Sequence, residues 1–378
     1  MSLKSLLDSD CQYAIDSLLT VSSQPRAALS LERHPDMMDA LFDLLSDCLE
    51  EAFGKLLSLT PKSKKIMTYY QLCDIEVESW GEFRNDTKPT FQNRQFMLAE
   101  RILAMSTTLR NFSFDQANAA FLSRHISFWP VIHSILRICL DNDPNATSPL
   151  TLKEAGILDH RKNIVIIFSN VGSQIKIPSE SCQLVLNLLE DFLSVSDSIY
   201  SYAALEALAK LSLVEENHKC FVSASNLKVL IELIAQVLPI QGFHLNSQDI
   251  AAQWELASLF IFNVSAMDDD HGRFFIKSPN VIRIVIRIAS EGIKTGNDIH
   301  ADYIRIITLR MLKCIREIAS NDDFRCTLSV YENLIFSMMM NIRVMPHSSS
   351  EFKTQAGVII SDILKSLQGT ANMKNLLL

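Results

Sequence analysis

The sequence predicts an all-α fold, an α-solenoid in which helical repeats stack into a right-handed superhelix. Three observations carry this: a shortage of glycine and proline, apolar residues at helical spacing, and a local pattern that recurs in register. Of 378 residues only 10 are Gly and 11 are Pro, where average usage of about 7% and about 5% would give roughly 26 and 19. Positive-φ turns, tight hairpins and phosphate-cradling loops all draw on Gly. Its scarcity points to long helices and away from nucleotide-binding α/β enzymes. With 48% hydrophobic residues the chain can bury a large core, yet single cores stop growing near ~250–300 residues. A longer chain divides into domains or spreads its core along an axis, as stacked repeats do.

Taken in order, residues 1–90 read as an N-terminal helical segment with basic and polar loops, and residues 91–378 as one repeat body. Thr60 to Lys65, with Pro61 and three lysines, is a break. Lys65 to Val77 is ambiguous and admits a strand or irregular structure. Gly81 to Thr90 is polar, and Asp141 to Leu150 is the clearest loop. Pro239 to Ser247 and Met345 to Ser350 are shorter interruptions. Val185, Leu188, Leu189 and Phe192 form a core-facing helical stripe, as do Leu227, Leu230, Ile231, Ile234 and Leu238. Val281 to Ala289 is apolar nearly all round, with Arg283 and Arg287 one turn apart on its polar face. Helix starts are legible at Ser179, at Ser196-Asp197 and at Ser278-Pro279.

The repeat has the form apolar, any, polar, apolar, small. Its copies are Leu109 to Ser113, Phe168 to Gly172, Leu208 to Ser212, Ile261 to Ser265 and Ile315 to Ala319, with a weak last copy at Ile363 to Leu367. The polar centres at 111, 170, 210, 263, 317 and 365 are spaced 59, 40, 53, 54 and 48 residues apart. That is the repeat length of armadillo and HEAT units or somewhat longer. After four copies a polar turn leads to an apolar anchor 10 or 11 residues past the centre: Phe121, Phe221, Phe274 and Leu328. The expected unit is a long helix, a capped short helix pinned by its anchor, then another long helix. This order resembles the armadillo repeat; a generic helical bundle with coincidental caps is the competing reading.

Three segments resemble one family more closely: Leu98 to Leu136, Arg161 to Ile177 and Tyr202 to Ala224. In that order they look like the C-terminal core-binding region of the large ARID-bearing subunit (Osa/Swi type) of SWI/SNF chromatin remodellers. The resemblance spans about residues 95–340 and rests on buried positions. Residues 1–90 do not share it, and the family's DNA-binding ARID domain has no counterpart here. It implies a nuclear scaffold in transcription regulation that docks other remodeller core subunits and a helix preceding the ATPase motor. It implies no activity of its own. An armadillo or HEAT adaptor, transport or regulatory subunit outside chromatin is the alternative. The opening Met-Ser-Leu and the abrupt end at Leu378 read as a piece cut from a longer protein.

Catalytic and metal motifs are absent: no phosphate loop, GxSxG, HExxH or dinucleotide fingerprint occurs. No enzyme activity, cofactor, metal or small-molecule substrate is expected. Asp268-Asp269-Asp270-His271 reads as a capping turn rather than a metal site. A net charge of −8 argues against direct nucleic-acid binding, which needs a basic field. No apolar run reaches the ~18 residues of a membrane span. Eight scattered cysteines without paired spacing read as reduced buried thiols in a reducing compartment. His125 and His133 lie eight apart, but Phe128-Trp129-Pro130 should separate them into two helices.

Candidate partner-binding residues fall in two sets. Asn111, Asn170 and Asn263 occupy the position that holds an extended peptide in armadillo importins. The tryptophans that accompany it there are replaced by Thr107, Ile166 and Leu259, and hydrogen bonding at helix ends is the simpler role. The second set is basic: Arg283, Arg287, Arg305, Arg310, Lys313 and Arg316 form a stripe for an acidic partner segment, or a solvated face paired with residues such as Glu317.

Overall fold

The structure is a computed structural model that describes residues 2–4, 8–24, 29–58, 67–82, 94–140, 156–239, 243, 248–267, 279–295, 302–320, 322–345 and 350–374. Its regular elements are all helical, with no strand among the described residues. The chain forms two compact units, Met1–Cys220 and Phe221–Leu378.

The first unit contains α1 (Asp8–Ser22), α2 (Pro35–Ser58), α3 (Tyr69–Glu82), α4 (Arg94–Ser113), α5 (Gln116–Arg124), α6 (Phe128–Leu140), α7 (Ile157–Val171), α8 (Cys182–Leu193) and α9 (Ser198–Leu211). The helix α10 (His218–Ser223) crosses the division. Two rows organise the unit. In the first row α1 packs on α4, α4 on α7 and α7 on α9; in the second, α2 packs on α6 and α6 on α8. Contacts of α2 with α4, α6 with α7 and α8 with α9 join the rows. The core lies between them. Val185, Leu188, Leu189 and Phe192 of α8 are fully buried there, each such side chain stabilising the fold by about 1.5–3 kcal/mol.

The second unit repeats the plan with α11 (Leu227–Val237), α12 (Gln248–Ser265), α13 (Pro279–Thr295), α14 (Asp302–Ser320), α15 (Asp322–Ser329), α16 (Glu332–Arg343) and α17 (Ser350–Lys374). One row runs α12, α14, α17 and the other α11, α13, α16. The stripe Leu227, Leu230, Ile231, Ile234 and Leu238 is buried as its spacing requires.

The repeat register is visible in the helix ends. Asn111, Asn170, Lys210, Asn263 and Glu317 all fall within the last turn of a first-row helix. The weak sixth copy differs: Lys365 lies inside α17, where no helix ends. The first anchor also differs. Phe121 is only half-buried and packs on His125 (ring centroids 5.8 Å apart), while Leu122 is 0% exposed. Leu122, Phe221 and Leu328 thus all sit eleven positions past their polar centres, and all are fully buried. Phe274, Asp268 to His271, and the loops at 60–65 and 141–150 lie outside the described residues.

Three local expectations are corrected. The ambiguous stretch is helical from Tyr69 to Glu82. Thr68 and Gln71 cap its start reciprocally: Thr68 N donates to Gln71 Oε1 (2.8 Å) and Gln71 N to Thr68 Oγ1 (3.4 Å), a capping box that outweighs the β-branched and aromatic residues around it. Helix α8 begins at Cys182, with Ser181 rather than Ser179 at its N-cap. The cysteines are not all free thiols. Cys182 and Cys220 form a disulfide, their Cα atoms 5.4 Å apart, because the start of α8 meets α10; a separation of 38 residues left no trace of this in the spacing. Cys11, Cys48, Cys73, Cys139 and Cys314 take part in no disulfide among the described residues. Cysteine usage therefore no longer supports a reducing compartment by itself.

Two asparagines explain how layers without a short helix are held. Between α1 and α2, and between α7 and α8, where the chain crosses from row to row, the described residues hold only a three-residue 3-10 turn, Leu31–Arg33 and Gly172–Gln174, in place of a short α-helix. Asn118 Oδ1 accepts from Leu31 N and its Nδ2 donates to Leu29 O, both at 2.9 Å. Asn217 Oδ1 accepts from Ile177 N (2.7 Å), and its Nδ2 donates to Ile175 O (3.0 Å) and Leu211 O (3.1 Å). Both lie seven residues past a polar centre and both are buried. Each pins the crossing segment of the preceding layer by satisfying its backbone groups.

Candidate interaction surface

The first row of the first unit is closed by side-chain hydrogen bonds. Between α1 and α4, Asn111 Nδ2 donates to Ser22 Oγ (3.1 Å), while Asn111 Oδ1 accepts from Arg110 Nε (3.3 Å) and Nη2 (2.9 Å). Between α4 and α7, Arg110 Nη1 donates to Asn163 Oδ1 (3.1 Å), and Asn163 Nδ2 to Ser106 Oγ and Thr107 Oγ1 (both 3.1 Å). Asn170 Nδ2 donates to Ser113 Oγ (2.8 Å). Between α7 and α9, the Ser169 hydroxyl donates to the Glu206 carboxylate, and Lys210 Nζ donates to Ser169 O (2.7 Å). Asn111 and Asn170 therefore bridge neighbouring helices of the row. Asn263 is half-buried near the end of α12.

Two buried polar groups on α7 escape sequence reading. His160 is 2% exposed, and its Nδ1 lies 3.1 Å from Ser106 Oγ. Burial pushes its pKa down to about 4, so it is neutral at physiological pH. Arg161 is 0% exposed. It donates to Cys139 O (3.1 and 2.7 Å), Met67 O (2.6 Å) and Asp191 Oδ2 (3.1 Å). Asp191 Oδ1 in turn accepts from Tyr69 N (3.1 Å). One guanidinium thus ties together the end of α6, the start of α3 and helix α8. His125 caps the C-terminus of α5 while His133 lies within α6, which starts at Phe128. His125 Nε2 lies 3.0 Å from Asp39 and His133 Nδ1 2.8 Å from Ser181 Oγ.

The six basic candidates divide. Those on α14 are engaged locally. Arg305 pairs with Asp302 (3.1 Å). Arg310 donates to Glu255 O (3.0 Å) and Ser258 Oγ (3.3 Å) of α12. Lys313 sits over the Phe262 ring (5.9 Å) and Arg316 pairs with Glu317 (3.1 Å). Arg283 and Arg287 on α13 are exposed and belong to no ion pair among the described residues. Of the six candidates, the two on α13 are thus the exposed ones without a local partner among the described residues. No cluster of three His, Cys, Asp or Glu side chains that could hold a metal occurs among the described residues. No single described helix is long and apolar enough to cross a membrane.

No family model matches the chain. It is similar to the SWI/SNF chromatin-remodeling complex subunit sol1 of Schizosaccharomyces pombe, 26% identical over 196 residues. The match covers 47% of this chain and 22% of that relative, so the chain spans about a fifth of the length of the protein it resembles.

Proposed function

We propose that this chain is a non-catalytic scaffold of a SWI/SNF-type chromatin remodelling complex, built as an armadillo/HEAT-like α-solenoid. It acts in the nucleus and corresponds to the core-binding region of the ARID-bearing large subunit. Its partners are other core subunits and a helix preceding the ATPase motor. The observation that carries the reading is the similarity to a SWI/SNF subunit over nearly half the chain. The two-row packing supports it. Stacked helices present long exposed faces while burying their core between rows, the form a docking platform needs.

Affinity purification from the native source tests this. Tagged protein is expected to bring down a remodeller ATPase with its core subunits. Recovery of unrelated partners only would leave the adaptor reading in its place. A turnover screen on the purified chain bears separately on the absence of catalysis.

A further inference from the structure

Helix α16 is apolar on two opposite sides. Ile335, Met338 and Ile342, at 1%, 1% and 2% exposure, face the core. On the other side Phe336 and Met340, with Val344 at the helix C-cap, recur every fourth residue and are 57%, 46% and 80% exposed. Such spacing aligns them along one stripe. The adjoining helix α13 exposes Arg283 and Arg287. The two helices pack side by side in one row, and each turns its buried side toward the other row. Their exposed stripes therefore run next to one another, at a helix spacing of roughly 8–10 Å. Arg343 projects from the same side of α16.

Charge on this face is unbalanced. Arg283, Arg287 and Arg343 enter no ion pair among the described residues. Glu291, the carboxylate on the same side of α13, is already held by Lys294 at 2.8 Å, and Glu332, one turn before Phe336 on α16, leaves one carboxylate against the three arginines. The chain as a whole carries −8, so a local excess of arginine beside exposed phenylalanine and methionine selects for its opposite. A second copy docked through the same face would set arginine against arginine, because a two-fold contact pairs a patch with itself.

We infer that this face docks an acidic amphipathic helix supplied by another protein. The partner's apolar stripe covers Phe336, Met340 and Val344, and its carboxylates reach Arg283, Arg287 and Arg343. The inference extends the scaffold reading by naming a surface and the chemistry it takes. It leaves the engaged α14 residues as structural.

The test uses the full chain and a synthetic helical peptide of about 20 residues, long enough to hold helix in water. Leucines mark one face of the peptide and glutamates its flanks; a second peptide carries lysine at every glutamate. Fluorescence anisotropy should give binding of the glutamate peptide at least ~tenfold tighter than of the lysine peptide, weakening with salt. Met340→Glu, and separately Arg283→Glu with Arg287→Glu, should each weaken it ~tenfold or more while thermal unfolding stays unchanged. No binding of the glutamate peptide, equal binding of the two peptides, or wild-type affinity in the variants overturns the proposal. So does a concentration-dependent dimer that Met340→Glu abolishes, which would make a second copy the occupant. Peptide binding without remodeller recovery would sink the complex assignment alone; recovery without peptide binding would sink only this face.

Discussion

Replacing Asn217 with alanine should loosen the crossing between α7 and α8 before the rest of its unit. The side chain is 0% exposed and satisfies Ile177 N, Ile175 O and Leu211 O. Alanine leaves one buried donor and two acceptors without that partner. An orphaned buried group costs about 1–3 kcal/mol, and a carbonyl with another bond costs least, so about 3–4 kcal/mol is expected. At 1.4 kcal/mol per tenfold, ~3 kcal/mol is on the order of a 100-fold loss of protection. Native-state hydrogen exchange reads this directly at the Ile177 amide and its neighbours. Asn118→Ala, which breaks two bonds, should act the same way at Leu31 and cost about 2–3 kcal/mol. Asn217→Asp keeps the acceptor but turns a carboxylate toward two carbonyls, and should be at least as damaging as alanine. Exchange at Ile177 unchanged by Asn217→Ala, or rescue by Asp, would refute the clamp.

Leu211 and Val264 are 0% and 3% exposed. Aspartate at either buries an unpaired charge costing several kcal/mol, so a thermal melt like wild type's would contradict the layer assignment. A Cβ on Gly292 would run into the Thr308 side chain. Gly292→Ala should cost about 1–3 kcal/mol by overpacking α13 on α14, and Thr308→Ala in the same chain should recover most of it in urea titrations; no recovery would place the strain elsewhere. The His160 pKa of about 4 lies below its ordinary 6.5, so the unfolded chain binds the proton first. Its contribution is intact above about pH 6.5 and falls toward pH 4 by about 3 kcal/mol in all. His160→Gln should flatten that part of the stability profile, and an unaltered profile would clear His160 of the effect.

The fold was legible because its signals are local. Apolar spacing marked α8 and α11, and the recurring polar centres marked where first-row helices end. The anchor at Leu122 was legible only in part, since Phe121 beside it is the larger hydrophobe and drew the assignment one residue early. The clamps were hidden because an asparagine in a polar turn reads as a cap, and its backbone partners lie 87 residues away for Asn118 and 40 and 42 for Asn217. Arg161 was hidden for the opposite reason: a charged residue in an amphipathic pattern reads as surface, and its partners come from three separate segments. The exposed stripe of α16 was masked by the core stripe on its other side, which makes Leu334 to Met340 look like a single apolar run.

The central claim is that this chain holds a remodeller together. Depleting it in its native source, then sedimenting the remodelling ATPase on a glycerol gradient, tests that most directly. The account predicts that the ATPase leaves the large assembly for lighter fractions and returns when the chain is restored. An ATPase that sediments unchanged after depletion would contradict it.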